Sequence, residues 1–147
     1  MNRLWCLSHR LYVLGGGSHS LARALEMLEQ FIYQNSISTM AEIGEGTVFF
    51  HHGLGCVVHR NAKIGSNCNI FSNVVIGNKW HNGVNEGGSP VIGDHVMIGA
   101  GAVILGEVTV GDNSIIGANA VVTRDVPAGS LVVGANIFLK NKYEPAK

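Results

Sequence analysis

Apolar residues recur at every sixth position through most of this chain. Ile64, Ile70 and Ile76 form one run, and Ile92, Ile98, Ile104, Val110, Ile116 and Val122 form a second. Ile43 and Phe49 lie in an earlier register, and Val58 leads into the main run. The next residue is often glycine, as at Gly44, Gly65, Gly77, Gly93, Gly99, Gly111 and Gly117. Four places after the large residue stands a small or β-branched one: Thr47, Ala62, Cys68, Val74, Val96, Ala102, Val108, Ser114, Ala120, Val126. Three linked columns over this length define an internal repeat.

A six-residue period fits neither a helix nor a hairpin. It predicts a short strand plus a turn, repeated. Three such units close a triangular coil with each large aliphatic residue inside and the small residue near the corner. The glycine is expected to relieve the backbone where the chain bends. Successive coils then stack as parallel strands about 4.8 Å apart, and several are needed because each buries its interior only against its neighbours. The register gains three residues around His51, His52 and Gly53, and ten within residues 78–90. In such a coil the extra residues must leave as loops, often on the binding face.

Residues 1–39 read as helical. Leu4, Leu7, Leu11 and Leu14 make one stripe, and Leu21, Leu25, Leu28 and Ile32 make a second. Gly15, Gly16 and Gly17 stop the first helix, and Ser18 or Ser20 caps the next. Their apolar stripes must pack on the rest of the chain or on another subunit. The expected organisation is a helical segment over 1–39, a repeat domain over 40–137, and a tail over 138–147 that leaves the repeat. The three glycines also invite a phosphate-loop reading, but no strand precedes them, and a helix stop explains them.

Composition narrows the class. The chain has 147 residues with ten basic and ten acidic side chains, so its formal net charge is zero. Nucleic acid and anionic membrane both reward a basic excess, so neither is expected as partner. Hydrophobic residues at 46% against 14% charged exclude a disordered chain. Three cysteines, Cys6, Cys56 and Cys68, with no CxxC support neither a disulfide framework nor a zinc knuckle, and they suit a reducing compartment. The apolar stretch over 4–14 is too short to span a bilayer, so a cytoplasmic protein with no membrane span is expected.

With these columns in view, the chain resembles the hexapeptide-repeat acyltransferases, and within them the serine acetyltransferases. Residues 90–106, PVIGDHVMIGAGAVILG, are similar to that group's acetyl-CoA-binding core, and residues 50–58, FHHGLGCVV, to its catalytic loop. The resemblance covers roughly residues 40–137. It implies a mainly β protein, a left-handed parallel β-helix of hexapeptide repeats with two short N-terminal α-helices. It implies acetyl-CoA as co-substrate without a metal, and a homotrimer with active sites between subunits. Position by position, it makes His52 the catalytic histidine. It puts Gly77 and Asn78 on the backbone facing the thioester and pantetheine arm, and Ala100 and Ala118 on backbone that contacts coenzyme A. Serine acetyltransferases carry aspartate where this chain has His51, and a second histidine where it has Ser89. Their N-terminal helical domain is also longer. These departures favour a sugar of a surface polysaccharide or its precursor as acceptor, as in short relatives of this build, over serine.

The chemistry agrees with the residue types. Acyl transfer from a thioester to a hydroxyl needs a base near neutral pH, and histidine fits, with a reference pKa of about 6.5. His52 would take the acceptor's proton in a ternary complex, with a backbone N–H near Gly77 or Asn78 on the oxyanion. His51, His81 and Ser89 are the expected acceptor-binding residues, with Trp80 beside them on the long loop, read either as a lid or as an excursion with one aromatic anchor. Glu45 and Glu86 are the candidate carboxylates to orient His52. Cys56, four residues past His52, could make a nucleophile pair, but its neighbours Val57 and Val58 point to a packed thiol. Cys68 falls in the small-residue column and reads as core, and His95, at an outward repeat position, reads as structural or at the interface. Two readings from other classes are a γ-type carbonic anhydrase, with zinc on histidines, and a non-catalytic β-helix trimer.

Overall fold

The computed structural model describes residues 3–14, 18–81, 84–85 and 87–140. It is a left-handed parallel β-helix with three flat faces, preceded by two helices, α1 (Arg3–Leu14) and α2 (Ser18–Tyr33). The first face stacks Ser36–Ile37, Val57–Val58, Val75–Gly77, Val103–Leu105 and Val121–Val122. The second stacks Glu42–Ile43, Lys63–Ile64, Val91–Ile92 and Thr109–Val110. The third stacks Val48–Phe49, Asn69–Ile70, Met97–Ile98, Ile115–Ile116 and Ser130–Val133. Ile92 pairs with Val110, eighteen residues on, so one coil is three hexads. The pairs Ile37–Val58 and Ile64–Ile92 exceed that spacing by three and by ten, which are the two insertions.

Both apolar columns point inward. Ile70, Ile76, Ile98, Ile104 and Ile116 are fully buried, and so are Cys68, Val74, Ala102 and Ala120. Each buried large side chain contributes about 1.5–3 kcal/mol, and the stacked layers make one continuous core.

The glycine column has a different cause from the expected one. Gly44, Gly65, Gly93, Gly99, Gly111 and Gly117 do not have left-handed backbones. They are glycine because the next coil passes too close: a Cβ on Gly65 would lie 2.6 Å from the carbonyl carbon of Gly93, and one on Gly99 2.6 Å from the Ala118 nitrogen. The left-handed residue comes two places later, at Gly46, Asn67, Asn73, His95, Gly101, Asn113 and Asn119, with φ between 56° and 75°. Glycine and asparagine are the residues that tolerate this region.

Within the single chain the leucine stripes are not what the helices bury. Trp5, Ser8, Ala22 and Glu29 are buried, and Ser8 Oγ donates to Ala22 O at 3.1 Å. Trp5 stacks on His9 with centroids 4.7 Å apart, and His9 Nδ1 lies 2.7 Å from Thr39 O. Leu7, Leu14, Leu21, Leu28 and Ile32 stay exposed on the single chain. Helix α2 ends at a left-handed Gln34, φ 49°, and the chain enters the coil at Ser36, inside the stretch read as helical. At the other end the chain turns back, and Ile137–Lys140 runs antiparallel to Ser130–Val133. The expected tail beyond residue 140 and the glycines 15–17 lie outside the described residues. Among the described residues no helix is long and apolar enough to cross a membrane.

Candidate active site

Three corners join the faces, and the residues of interest fall on different ones. The corner from the third face to the first carries Phe50–Gly53, then Ser72 and Asn73, Ala100 and Gly101, and Ala118 and Asn119 in successive coils. Backbone hydrogen bonds tie the column: Asn73 N–H to Leu54 O at 2.8 Å, Gly101 N–H to Ser72 O at 3.0 Å, and Asn119 N–H to Ala100 O at 2.9 Å. His51, His52, Ala100 and Ala118 therefore share one corner.

The three-residue insertion makes the tight turn Phe50–Gly53. His51 (φ 53°, ψ 37°), His52 (φ 59°, ψ 19°) and Gly53 (φ 77°) are all left-handed in succession. For a residue with a Cβ this conformation costs about 1–2 kcal/mol, and it persists only where the surroundings enforce it. Here they do. Buried Asn35 donates from Nδ2 to the His52 carbonyl at 3.0 Å. Gly53 is buried against Ile37, whose Cδ1 would be 2.8 Å from an added Cβ. Phe50 stacks on Phe71 of the next coil, centroids 4.6 Å apart. Both histidine side chains are exposed, and the His52 ring stacks on Tyr33 at 5.0 Å and 28°.

Tyr33 and Asn35 were not singled out from the sequence, because they precede the repeat and share none of its spacing. Of the two candidate carboxylates, the structure describes Glu45, which does not reach His52. Glu45 stands at the corner from the second face to the third, where its carbonyl accepts from Asn67 N–H at 2.9 Å. Glu86 lies outside the described residues. Within the chain, His52 is held by an aromatic ring and its own backbone.

The long insertion leaves from the corner between the first face and the second. It carries a small antiparallel ribbon in which Trp80 pairs with Asn85 and the His81 backbone with Val84. Trp80 and Val84 are exposed. At its base, Gly77 pairs with Leu105 and its carbonyl accepts from Gly106 N–H at 2.9 Å, while Asn78 stands just past the strand end. Ser89 Oγ donates to Asn78 Oδ1 at 2.6 Å and lies 3.0 Å from His59 Nδ1. Gly88 is left-handed, and a Cβ there would collide with the Glu107 side chain. Gly77, Asn78, Ser89 and His59 thus gather on one corner, with the first face between them and His52.

The two buried thiols are structural. Cys56 Sγ donates to Phe71 O at 3.2 Å, and Cys68 Sγ to Gly93 O at 3.1 Å. Burial pushes both thiols above their ordinary value, away from thiolate chemistry. His95 is one of the left-handed corner residues, its N–H bonded to Ser66 O at 2.9 Å. His52, His59 and His95 occupy three different corners. Among the described residues no three His, Cys, Asp or Glu side chains come together as metal ligands would.

Residues 89–124 match the family model for the bacterial transferase hexapeptide (six repeats). A serine acetyltransferase of Helicobacter pylori is 43% identical over 116 residues, covering 78% of this chain and 66% of that protein. The crystal structure of Neisseria gonorrhoeae serine acetyltransferase superposes with a TM-score of 0.84 at 34% identity, over 97% of this chain and 54% of that one. The same enzyme in complex with serine gives 0.78 at 38% identity, over 89% of this chain and 52% of that one. A serine acetyltransferase complex with CoA gives 0.75 at 31% identity, over 88% of this chain and 54% of that one. The chain thus spans between about half and two thirds of the length of these relatives.

Proposed function

This chain is a serine acetyltransferase-like member of the hexapeptide-repeat acyltransferases, and we propose from that premise that it transfers the acetyl group of acetyl-CoA to a hydroxyl acceptor. The observation that carries the reading is the His51–His52–Gly53 turn. Its left-handed backbone is enforced from three sides, and it presents an exposed imidazole on the corner that carries Ala100 and Ala118. Strain of that kind is characteristic of functional loops.

In the mechanism, His52 takes the proton of the acceptor hydroxyl as its oxygen attacks the thioester carbonyl. The new C–O bond forms, and the carbonyl electrons move onto oxygen. The Asn78 N–H, just beyond the strand end, donates to that oxyanion, an effect worth about 3 kcal/mol for one well-placed donor. As the tetrahedral centre collapses, the C–S bond breaks and the sulfur takes the proton from His52. Coenzyme A is acetyl-CoA's product and is held along the column of Ala100 and Ala118 by backbone contacts.

His52 and the Asn78–Ser89 corner lie on opposite edges of the first face. A complete site therefore needs one corner from each of two copies, which supports a homotrimer with sites between subunits. The apolar residues left exposed on both helices, Leu14, Leu21 and Phe31 among them, suit the same assembly.

The departures at His51 and Ser89 put a saccharide acceptor first. The relatives reverse that order, since those matched are serine acetyltransferases and one neighbour holds serine, and we take serine as the leading acceptor. The saccharide is the second reading. It rests on the site itself: the position where serine acetyltransferases keep a histidine holds a small hydroxyl, already bonded to Asn78. The experiment is thiol release from acetyl-CoA with serine and with a panel of hexoses and N-acetylhexosamines. Turnover with serine alone establishes the first reading, turnover with a sugar alone the second, and release with none of them refutes acetyl transfer to either class.

A further inference from the structure

We propose that His59 is an acceptor-recognition residue: a neutral imidazole fixed with its proton on Nε2, donating that N–H to an oxygen of the acceptor. The inference rests on the acetyl-transfer reading above but concerns a residue to which that mechanism gives no part.

The hydrogen bonds fix the tautomer. The Asn61 backbone N–H points at His59 Nδ1 from 3.2 Å. A backbone amide can only donate, so Nδ1 presents its lone pair and the ring proton sits on Nε2. Ser89 Oγ, 3.0 Å from the same nitrogen, has one proton to give, and Asn78 Oδ1 lies 2.6 Å away on its other side. It is the Asn61 amide, whose role is fixed, that makes Nδ1 an acceptor, and the one Ser89 proton is then shared between Nδ1 and Asn78 Oδ1. The ring is half-buried at the corner where the long insertion returns to the coil. Its Nε2–H is the polar group left without a protein partner among the described residues.

Position supports recognition over mere packing. His59 follows the strand Val57–Val58, which starts five residues after His52, and Ser89 links it to Asn78, the donor assigned to the oxyanion. A donor tied to that group from behind, with its outer N–H unused, suits a hydroxyl, ring or carboxylate oxygen on the acceptor. A partly buried hydrogen bond of this sort is worth about tenfold in affinity, and more toward a charged oxygen.

Two measurements test it. Long-range nitrogen–proton NMR on the wild-type protein near neutral pH should show His59 as the Nε2–H tautomer, and the Nδ1–H form would overturn the proposal whether or not the enzyme turns over. In acetyl-transfer kinetics, His59→Ala should raise the KM for the acceptor about tenfold or more and leave that for acetyl-CoA within about twofold. His59→Gln, whose amide can supply an N–H near Nε2, should recover most of that loss. His59→Asn, which reaches only as far as Nδ1, should not. Equal acceptor KM in His59→Ala and wild type overturns the proposal while leaving acetyl transfer standing. Running serine, serine methyl ester and the best sugar in parallel tells a carboxylate from a hydroxyl as the oxygen recognised.

Discussion

Asn35 donates to the carbonyl of His52 at 3.0 Å, from a position just past the second helix and seventeen residues away in sequence. That one bond ties the helical segment to the turn that presents the imidazole, and Tyr33 stacks on the ring two residues earlier. Asn35→Ala removes the bond that a buried side chain makes to the His52 carbonyl, at a cost of about 1 kcal/mol. The expected result is a folded protein with turnover reduced about tenfold or more, because the left-handed turn relaxes. Thermal melts together with kcat measure it. Undiminished turnover would mean that the turn holds its shape without the helices.

Close approach between coils sets a second test. Gly99→Ala places a Cβ 2.6 Å from the Ala118 nitrogen, against backbone that cannot move aside. Gly77→Ala meets nothing nearer than Leu105 Cδ2 at 3.6 Å. Both glycines occupy the same column of the repeat, yet the first change should cost several kcal/mol and the second less than about 1 kcal/mol. Denaturant melts of the two variants should differ accordingly, and equal midpoints would contradict the coil spacing.

The repeat was legible because each hexad repeats the same physical demand: a large side chain inside, a small one near the corner, a glycine where coils touch. The two insertions were legible as breaks in that arithmetic, and pairing across faces gives the same three and ten extra residues. The left-handed corner position was not. Its occupants are glycine, asparagine and one histidine, a mixture that shares no polarity or size, only tolerance of positive φ. Tyr33 and Asn35 were illegible for another reason: their partner is a loop seventeen or more residues on, and no periodicity connects them. The separation of His52 from Ser89 is a property of the triangle, invisible until strands are assigned to faces.

His95 offers a direct check on that missed column. At φ 57° it bonds backbone to backbone with Ser66, and its ring is exposed. His95→Asn should be neutral or slightly stabilising, whereas His95→Val should lose about 1–2 kcal/mol through the β-branched clash in the left-handed region. Comparing the two melting temperatures decides it. A His95→Asn variant that lost activity while keeping its stability would instead give the imidazole a role in the chemistry.

Cys56 and Cys68 predict how stability responds to alkali. Burial raises both thiols above their ordinary value of 9.0 in the folded chain. The unfolded chain then releases thiol protons near pH 9 while the folded one keeps them. Their contribution is thus complete below pH 9 and is lost as pH rises beyond it. Melting temperature should fall more steeply above pH 9 in the wild type than in a Cys56→Ala/Cys68→Ala variant. In native protein a thiol reagent should modify exposed Cys6 quickly and the buried pair only on unfolding. Rapid titration of all three would show that the core opens in the native state.

The placement of His52 and Ser89 on opposite edges of the first face makes complementation decisive. A His52→Ala subunit lacks the base on one corner, and a Ser89→Trp subunit blocks the other. Each homomer should be nearly inactive, with kcat down about a hundredfold or more for His52→Ala and coenzyme A affinity nearly unchanged, since the proposed coenzyme contacts are backbone groups. When the two chains are co-expressed and purified through two different tags, some sites pair the intact corner of one with the intact corner of the other. Every mixed cyclic trimer retained by the two tags holds one such site in three, so roughly a third of the sites are restored. Activity near that fraction supports a site shared between copies. A mixed assembly as inactive as its parents would mean that one chain brings both corners to the substrate by itself, and the proposed trimer would have no part in the chemistry.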